Sequence, residues 1–267
     1  MSGFKTAKAV LGRRVLATTA AFALATAGVL VGTTSAGAAS AQTGGTLYFI
    51  THADQFDHID PARVYTGRDI AFLNSYIHRN LVSYKPVAGT AGSSLVGDLA
   101  TNTGVPSNQA KDWSFTLKPG ITWEDGSAIT CADVKYGVSR PFAADVITDG
   151  PQYLVQALDI PKDADGSSKY KGPYKKTGQA LYDKAVVCKG NTITFHLNRS
   201  FADFNYALTY PAGAPVKASK DTGDKYDLRP FSNGPYKIEK YKIGDEMHLV
   251  RNSAWKRSSD EIGRAHV

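Results

Sequence analysis

The sequence predicts an α/β chain, with strands and helices sharing α+β mixed sheets, from three local patterns. Residues 113–140, WSFTLKPGITWEDGSAITCADVKYGVSR, alternate apolar and polar side chains and then switch to helical spacing. Thr192–Leu197 alternates again, directly after a Lys189-Gly190-Asn191 turn. Tyr236–Arg251 reads as a hairpin entered through Asn233-Gly234-Pro235.

The chain has 267 residues and a net charge of +7. Lys5, Lys8, Arg13 and Arg14 carry four of those charges, and subtracting them from +7 leaves +3, a mild basic balance. No Lys/Arg run is interleaved with aromatic residues, so nucleic-acid binding is not expected. Residues 1–41 read as a secretory signal. Lys5–Arg14 is basic, Val15–Val31 is apolar, and Ala36-Gly37-Ala38 or Ala39-Ser40-Ala41 offers a cleavage site. An uncleaved membrane anchor is the alternative. The Arg13-Arg14 pair leaves both the general and the twin-arginine export routes open. Only Cys131 and Cys188 are present. An even count in an exported chain predicts a disulfide, with two buried thiols as the alternative.

Gly44–Ile50 is expected to open the mature protein as a strand. His52, Asp54, Asp57 and His58 offer imidazoles and carboxylates that suit a transition metal; a polar loop ending at Ile59-Asp60-Pro61 is the other reading. Thr66 three residues before Asp69 predicts a capping box, and the helix behind it should carry Ile70, Leu73, Ile77 and Leu81 on one face. Thr101–Gln109 is a polar turn. In the central stretch, Trp113, Phe115 and Leu117 form one strand, Pro119-Gly120 breaks it, and Ile121 and Trp123 form a short second strand. Asp125-Gly126 turns the chain again, and Thr130 with Asp133 caps a helix that buries Val134 and Val138 and stops near Pro141. Residues 161–178 are polar and rich in Gly, Pro and Lys, which predicts a surface loop or mobile insertion. Leu181–Val187 leads to Cys188, and Phe201–Leu208 is expected to form a short amphipathic helix.

Catalysis has little support. The chain holds no Gly-x-Ser-x-Gly elbow, no zinc-protease helix motif and no phosphate-cradling loop, and its cysteines lack a papain-like context. No cofactor is expected. An exported hydrolase acting on an extracellular polymer remains the alternative to a binding protein.

The order of these pieces resembles the solute-binding proteins of ABC importers, the oligopeptide, dipeptide and nickel family. The resemblance is carried by Phe115-Thr116-Leu117-Lys118-Pro119-Gly120, Trp123, Asp125-Gly126 and Thr130-Cys131-Ala132-Asp133-Val134. It continues in Ile59-Asp60-Pro61, Leu95–Ala100, Ala214-Pro215-Val216, Gly234-Pro235-Tyr236, Gly244, Arg251-Asn252 and Trp255. Together these cover residues 44–256. The chain departs from the family pattern at Gly97, where Pro is usual, and at Ser232 and Asn233, which replace Gly and Thr.

The resemblance implies a type II, periplasmic-binding-protein-like bilobed fold, here ending before the second large lobe. Residues 44–76 and 234–260 would be part of domain I, and residues 77–233 would be domain II inserted into it. It implies a ligand site at Tyr65, Thr66 and Gly67, with Gln152 and Tyr153 as further candidates; an ordinary helix cap and a surface tyrosine are the plain readings of the same residues. It also implies a small solute, most commonly a peptide, with nickel chelates, opines and oligosaccharides open. The expected partner is an ABC permease, and the protein is expected to be a monomer. The location would be extracytoplasmic, without the lipid-anchoring cysteine common in Gram-positive members. Residues 261–267, EIGRAHV, are similar to the translation of a sequencing adapter, so the natural reading frame is expected to stop contributing after about residue 260.

Overall fold

The computed structural model describes residues 44–50 and 55–256. The chain divides into two units, Met1–Phe49 and Ile50–Val267. In the first, residues 44–49 have no regular secondary structure, and Leu47, Tyr48 and Phe49 are exposed. The expected strand over Gly44–Ile50 does not form. A strand needs the backbone groups of a neighbour, and no ladder among the described residues includes this stretch. The signal segment, His52, Asp54 and residues 261–267 lie outside the described residues.

In the second unit, α1 (Gly67–Tyr76) is followed by β1 (Val82–Tyr84) and β2 (Leu95–Gly97), which pair with each other. Next come β3 (Val105–Ser107), β4 (Asp112–Thr116), α2 (Cys131–Ser139), α3 (Tyr153–Ala157), α4 (Gln179–Ala185), β5 (Val186–Lys189), β6 (Thr192–His196) and α5 (Phe204–Ala207). The hairpin β7 (Tyr236–Lys242) and β8 (Glu246–Arg251) closes the series. The largest sheet has the order β3-β4-β6-β5, and every described ladder is antiparallel.

The central sheet follows from alternation. Trp113 lies opposite Phe195 and Phe115 opposite Ile193, all four buried on one face. On the other face Ser114 pairs with Thr194, hydroxyl to hydroxyl at 2.8 Å, and Thr116 pairs with Thr192 at 3.2 Å. A one-residue slip would turn the aromatic set to water, so the register is strongly specified. Cys131, at the start of α2, is bonded to Cys188 in β5, with Cα atoms 5.9 Å apart.

At α2 the side-chain oxygen of Thr130 accepts from the Asp133 N–H (3.4 Å), and the Asp133 carboxylate accepts from the Thr130 N–H (2.8 Å). Val134 and Val138 are buried, and Pro141 sits in a single 3-10 turn, Arg140–Phe142, that ends the helix. Ile121 and Trp123 are buried but form no strand. The Asp125-Gly126 turn folds this stretch back on residues 127–129 through an isolated bridge, Thr122 to Ala128, with Trp123 N–H donating to the Ser127 carbonyl (2.9 Å) and Ile129 N–H to the Ile121 carbonyl (3.1 Å). The amphipathic helix expected over Phe201–Leu208 is a single turn, Phe204–Ala207.

Residues 161–178 are not a loose insertion. Tyr170 is fully buried, stacked on Tyr182 with ring centroids 4.5 Å apart, and Tyr174 reaches Asp221. The polar composition hid two aromatic anchors.

The buried apolar residues form two clusters. The larger runs from Leu81 to Leu208 and is built around β4, β6 and α2. The smaller joins Ile59, Val64, Leu73 and Ile77 to Ile238 and takes in Phe56, Phe72, Tyr241, Met247 and Leu249. Leu81 lies beyond the end of α1 and belongs to the larger cluster, so the face expected to run from Ile70 to Leu81 is divided between two cores.

Candidate functional site

The site is built by the segment 55–66 before α1 and by residues 149–153, which lead into α3. Between them lies a cleft of about 500 Å³ lined by Gln55, Asp57, His58, Arg63, Tyr65, Thr66, Asp149 and Gly150. The two walls are joined by polar bonds. Arg63 Nε donates to Asp149 Oδ1 at 3.0 Å, and the Tyr65 and Tyr153 hydroxyls are 3.2 Å apart. The Arg63 hydrogen bond holds the Asp149 carboxyl below its ordinary value.

A second carboxylate braces the segment from behind. Asp227 accepts the Ile59 and Asp60 N–H groups at 2.7 and 2.8 Å and binds His58 Nδ1 at 2.5 Å. His58 Nε2 lies 3.5 Å from Asp149, so its ring stands between two carboxylates. Gly150 permits this approach, because a Cβ there would stand 2.4 Å from the Ala62 carbonyl oxygen.

Below the cleft, Arg140 fixes the segment to the larger body. Its guanidinium grips the Asp60 carboxylate through both oxygens, at 2.5 and 2.7 Å, and its Nε donates to Asp221 at 2.9 Å. The side chains of Arg140 and Asp60 are 0 % exposed. Tyr136 and Tyr174 each donate to Asp221 at 2.8 Å, and the Tyr226 ring lies under the guanidinium, 4.8 Å away. Burial pushes the Asp60 carboxyl up against the pull of Arg140. Every polar group here has a partner, as a buried ion pair requires. Nearby, the fully buried His78 meets the Ile59 carbonyl through Nε2 at 3.1 Å, and desolvation lowers its pKa to about 4.

Of the five ligand candidates, Tyr65 and Thr66 line the cleft, and Tyr153 touches Tyr65 across it. Gly67 is exposed at the first position of α1, and Gln152 is exposed at the start of α3 with no cap bond from its side chain. The capping box expected at Thr66 is absent. Thr66 donates its hydroxyl to Asp57, and buried Asp69 accepts from the Asp57 N–H (3.0 Å) and Arg68 Nε (2.6 Å). Asp57 and His58, two of the four metal candidates, are thus engaged with Thr66 and Asp227, and no described group of three His, Cys, Asp or Glu could hold a metal. Sequence reasoning passed over Arg63, Arg140, Asp221 and Asp227. Their partners are far away along the chain, and no local motif marks them.

Comparison with known proteins gives the class to which this antiparallel-sheet α/β body, with a polar cleft at its side, belongs. The family model for bacterial extracellular solute-binding proteins, family 5 (middle), matches residues 94–266, and the chain belongs to this family. The "Probable D,D-dipeptide-binding periplasmic protein DdpA" of Escherichia coli K12 is 26% identical over 216 residues, 78% of this chain and 36% of the relative. The oligopeptide-binding protein OppA of Bacillus subtilis is 26% identical over 152 residues, 56% of this chain and 26% of OppA. Among solved structures, the clavulanic acid biosynthesis oligopeptide binding protein 2 is 35% identical with a TM-score of 0.69, over 77% of this chain and 36% of that one. A structure of MoaA in complex with mannopinic acid, 21% identical with a TM-score of 0.55, shares the fold. The chain therefore spans about a third of the length of the relatives it matches, or less. Among the described residues no helix is long and apolar enough to cross a membrane.

Proposed function

We propose that this chain belongs to the extracytoplasmic solute-binding component of an ABC importer and that its solute is a peptide, bound without chemical turnover. The observation that carries this is the cleft, where Tyr65 and Thr66 face Asp149 and the Tyr65–Tyr153 contact bridges its edge. Backbone N–H groups at the start of α1, beside Thr66 and Gly67, suit a peptide carbonyl or carboxylate. The names of the relatives, two of them oligopeptide-binding and one dipeptide-binding, support the solute class.

Residues 44–76 and 234–260 belong to one domain in this reading, and residues 77–233 to a second inserted into it. The division of the apolar residues into two clusters supports that boundary. Closure of the complete receptor on its solute would present it to a membrane permease, and only tighter binding to the closed form can drive closure. Residues 1–41 are the export signal, to be checked by N-terminal sequencing of the secreted protein.

The test is calorimetric titration of the purified protein with di- to pentapeptides, oligosaccharides, an opine and a nickel chelate, with product analysis alongside. Peptide binding that weakens at least about tenfold in Tyr65→Ala and Thr66→Ala, without peptide cleavage, is the expected result. Binding confined to a sugar or chelate, or release of hydrolysis products, would overturn it.

A further inference from the structure

We infer that Tyr65, Tyr153 and Tyr210 form an aromatic corner that selects peptides carrying an aromatic side chain. The inference rests on the peptide reading above and adds Tyr210 and a solute preference to it. Three separate segments supply the rings. Tyr65 ends the cleft segment, Tyr153 opens α3, and Tyr210 follows α5. Tyr65 is 58% and Tyr153 42% exposed, so both are open to a solute beside the polar cleft. Tyr210 is half-buried, and its ring centroid lies 5.2 Å from that of Tyr153 at an interplanar angle of 52°.

The corner is held in place before any solute arrives. The hydroxyl–hydroxyl bond joins Tyr65 to Tyr153. The Thr209 carbonyl next to Tyr210 accepts from the amides of Asn74 and Asn80, at 3.1 and 2.9 Å, which ties this segment to α1 and the turn after it. Preorientation lowers the ordering cost of binding. The tilt decides the ligand chemistry. Two rings inclined at about half a right angle offer one face and one edge to a third ring, which matches the edge-to-face preference of aromatic groups. A sugar would fit better on a flat stack, and an aliphatic side chain gains no more than contact area here.

The test compares the purified protein with its Tyr210→Leu and Tyr153→Leu variants, using the tripeptides Ala-Phe-Ala, Ala-Leu-Ala and Ala-Ala-Ala followed by ligand-observed NMR. Ala-Phe-Ala should bind about 2- to 12-fold more tightly than Ala-Leu-Ala, the span expected for an aromatic pair beyond area burial. That ratio should fall to about one in both variants, while Ala-Ala-Ala binding changes little in Tyr210→Leu. Far-UV circular dichroism confirms folding. Should Tyr210→Leu not fold, Tyr210→Met takes its place. Equal affinity for Ala-Phe-Ala and Ala-Leu-Ala in the unmodified protein, or a preference that survives the variants, overturns the corner and leaves the peptide reading standing. Binding of none of the three peptides overturns both.

Discussion

His78 makes stability depend on pH in a window set by its burial. The ring is fully buried, its Nε2 meets the Ile59 carbonyl, and Arg140 is the charged group whose field also opposes protonation. Desolvation lowers its pKa in the folded protein from 6.5 to about 4. Between those values the unfolded chain holds the proton and the folded chain does not, so stability rises with pH through the window. The stabilising term is complete above pH 6.5 and fades as the pH falls towards 4. Between pH 7.5 and pH 4.5 it amounts to about 2–3 kcal/mol by linkage. Urea unfolding of the wild type and His78→Gln at intervals across that range isolates it, because glutamine can still donate to Ile59 but does not titrate. Carboxylates and the remaining histidines contribute to both proteins and cancel in the difference. The wild type should lose about 2–3 kcal/mol relative to the variant on acidification. A difference that stays flat within about 0.5 kcal/mol would show that water reaches His78 or that the imidazolium finds a partner, and the reasoning from burial would fail.

Arg140→Met should destabilise the protein by about 3–5 kcal/mol, since it leaves the buried Asp60 and Asp221 carboxylates without their shared cation. Adding Asp60→Asn and Asp221→Asn in the same chain should recover part of that loss in chemical denaturation. Thr130→Ala should cost about 1 kcal/mol by removing the cap of α2. Thr66→Ala should show no cap effect on stability, because Thr66 makes no cap bond at α1. Replacing Cys131 and Cys188 by serine opens a bridge between residues 57 apart, and the chain-entropy relation puts the loss at about 4 kcal/mol. Thermal melts of oxidised, reduced and substituted protein should rank accordingly.

How far the sequence could be read depended on whether the partners were local. Residues 113–140 were legible because the alternation, the Asp125-Gly126 turn and the Thr130–Asp133 cap all act within a few positions, and each appears in the structure. The same Thr-x-x-Asp spacing misled at Thr66. There Asp69 is buried and bonded to Asp57 and Arg68, whereas Asp133 is half-buried with Thr130 as its partner. Tyr65 and Tyr153 were named separately, but nothing in the sequence brings residues 88 apart together. Arg140 carried no local signal, because its bond to Asp60 spans 80 positions.

The departures from the family pattern at Ser232 and Asn233 have a physical account at the crossing between the two apolar clusters. The chain passes from one cluster to the other near Ile77–Asn80 and returns near Ser232–Pro235, and the two passages lie side by side. Asn233 uses its side chain like a strand backbone, accepting from the Arg79 N–H at 2.8 Å and donating to the Arg79 carbonyl at 3.2 Å. The Ser232 hydroxyl meets the carbonyls of Ile77 and Tyr236, and Gly234 fits because a Cβ would stand 2.6 Å from the Tyr76 carbonyl oxygen. Ser232 thus adds a hydroxyl where Gly has none, and Asn233 exchanges the hydroxyl of Thr for an amide that serves a buried backbone N–H and carbonyl at once. The crossing is held by polar bonds of defined direction, and the apolar clusters stay separate on either side. Directional bonds between buried groups fix how the two passages register, and the buried Asp60–Arg140 pair adds a second tie, between the Ile59-Asp60 segment of the smaller cluster and the larger body.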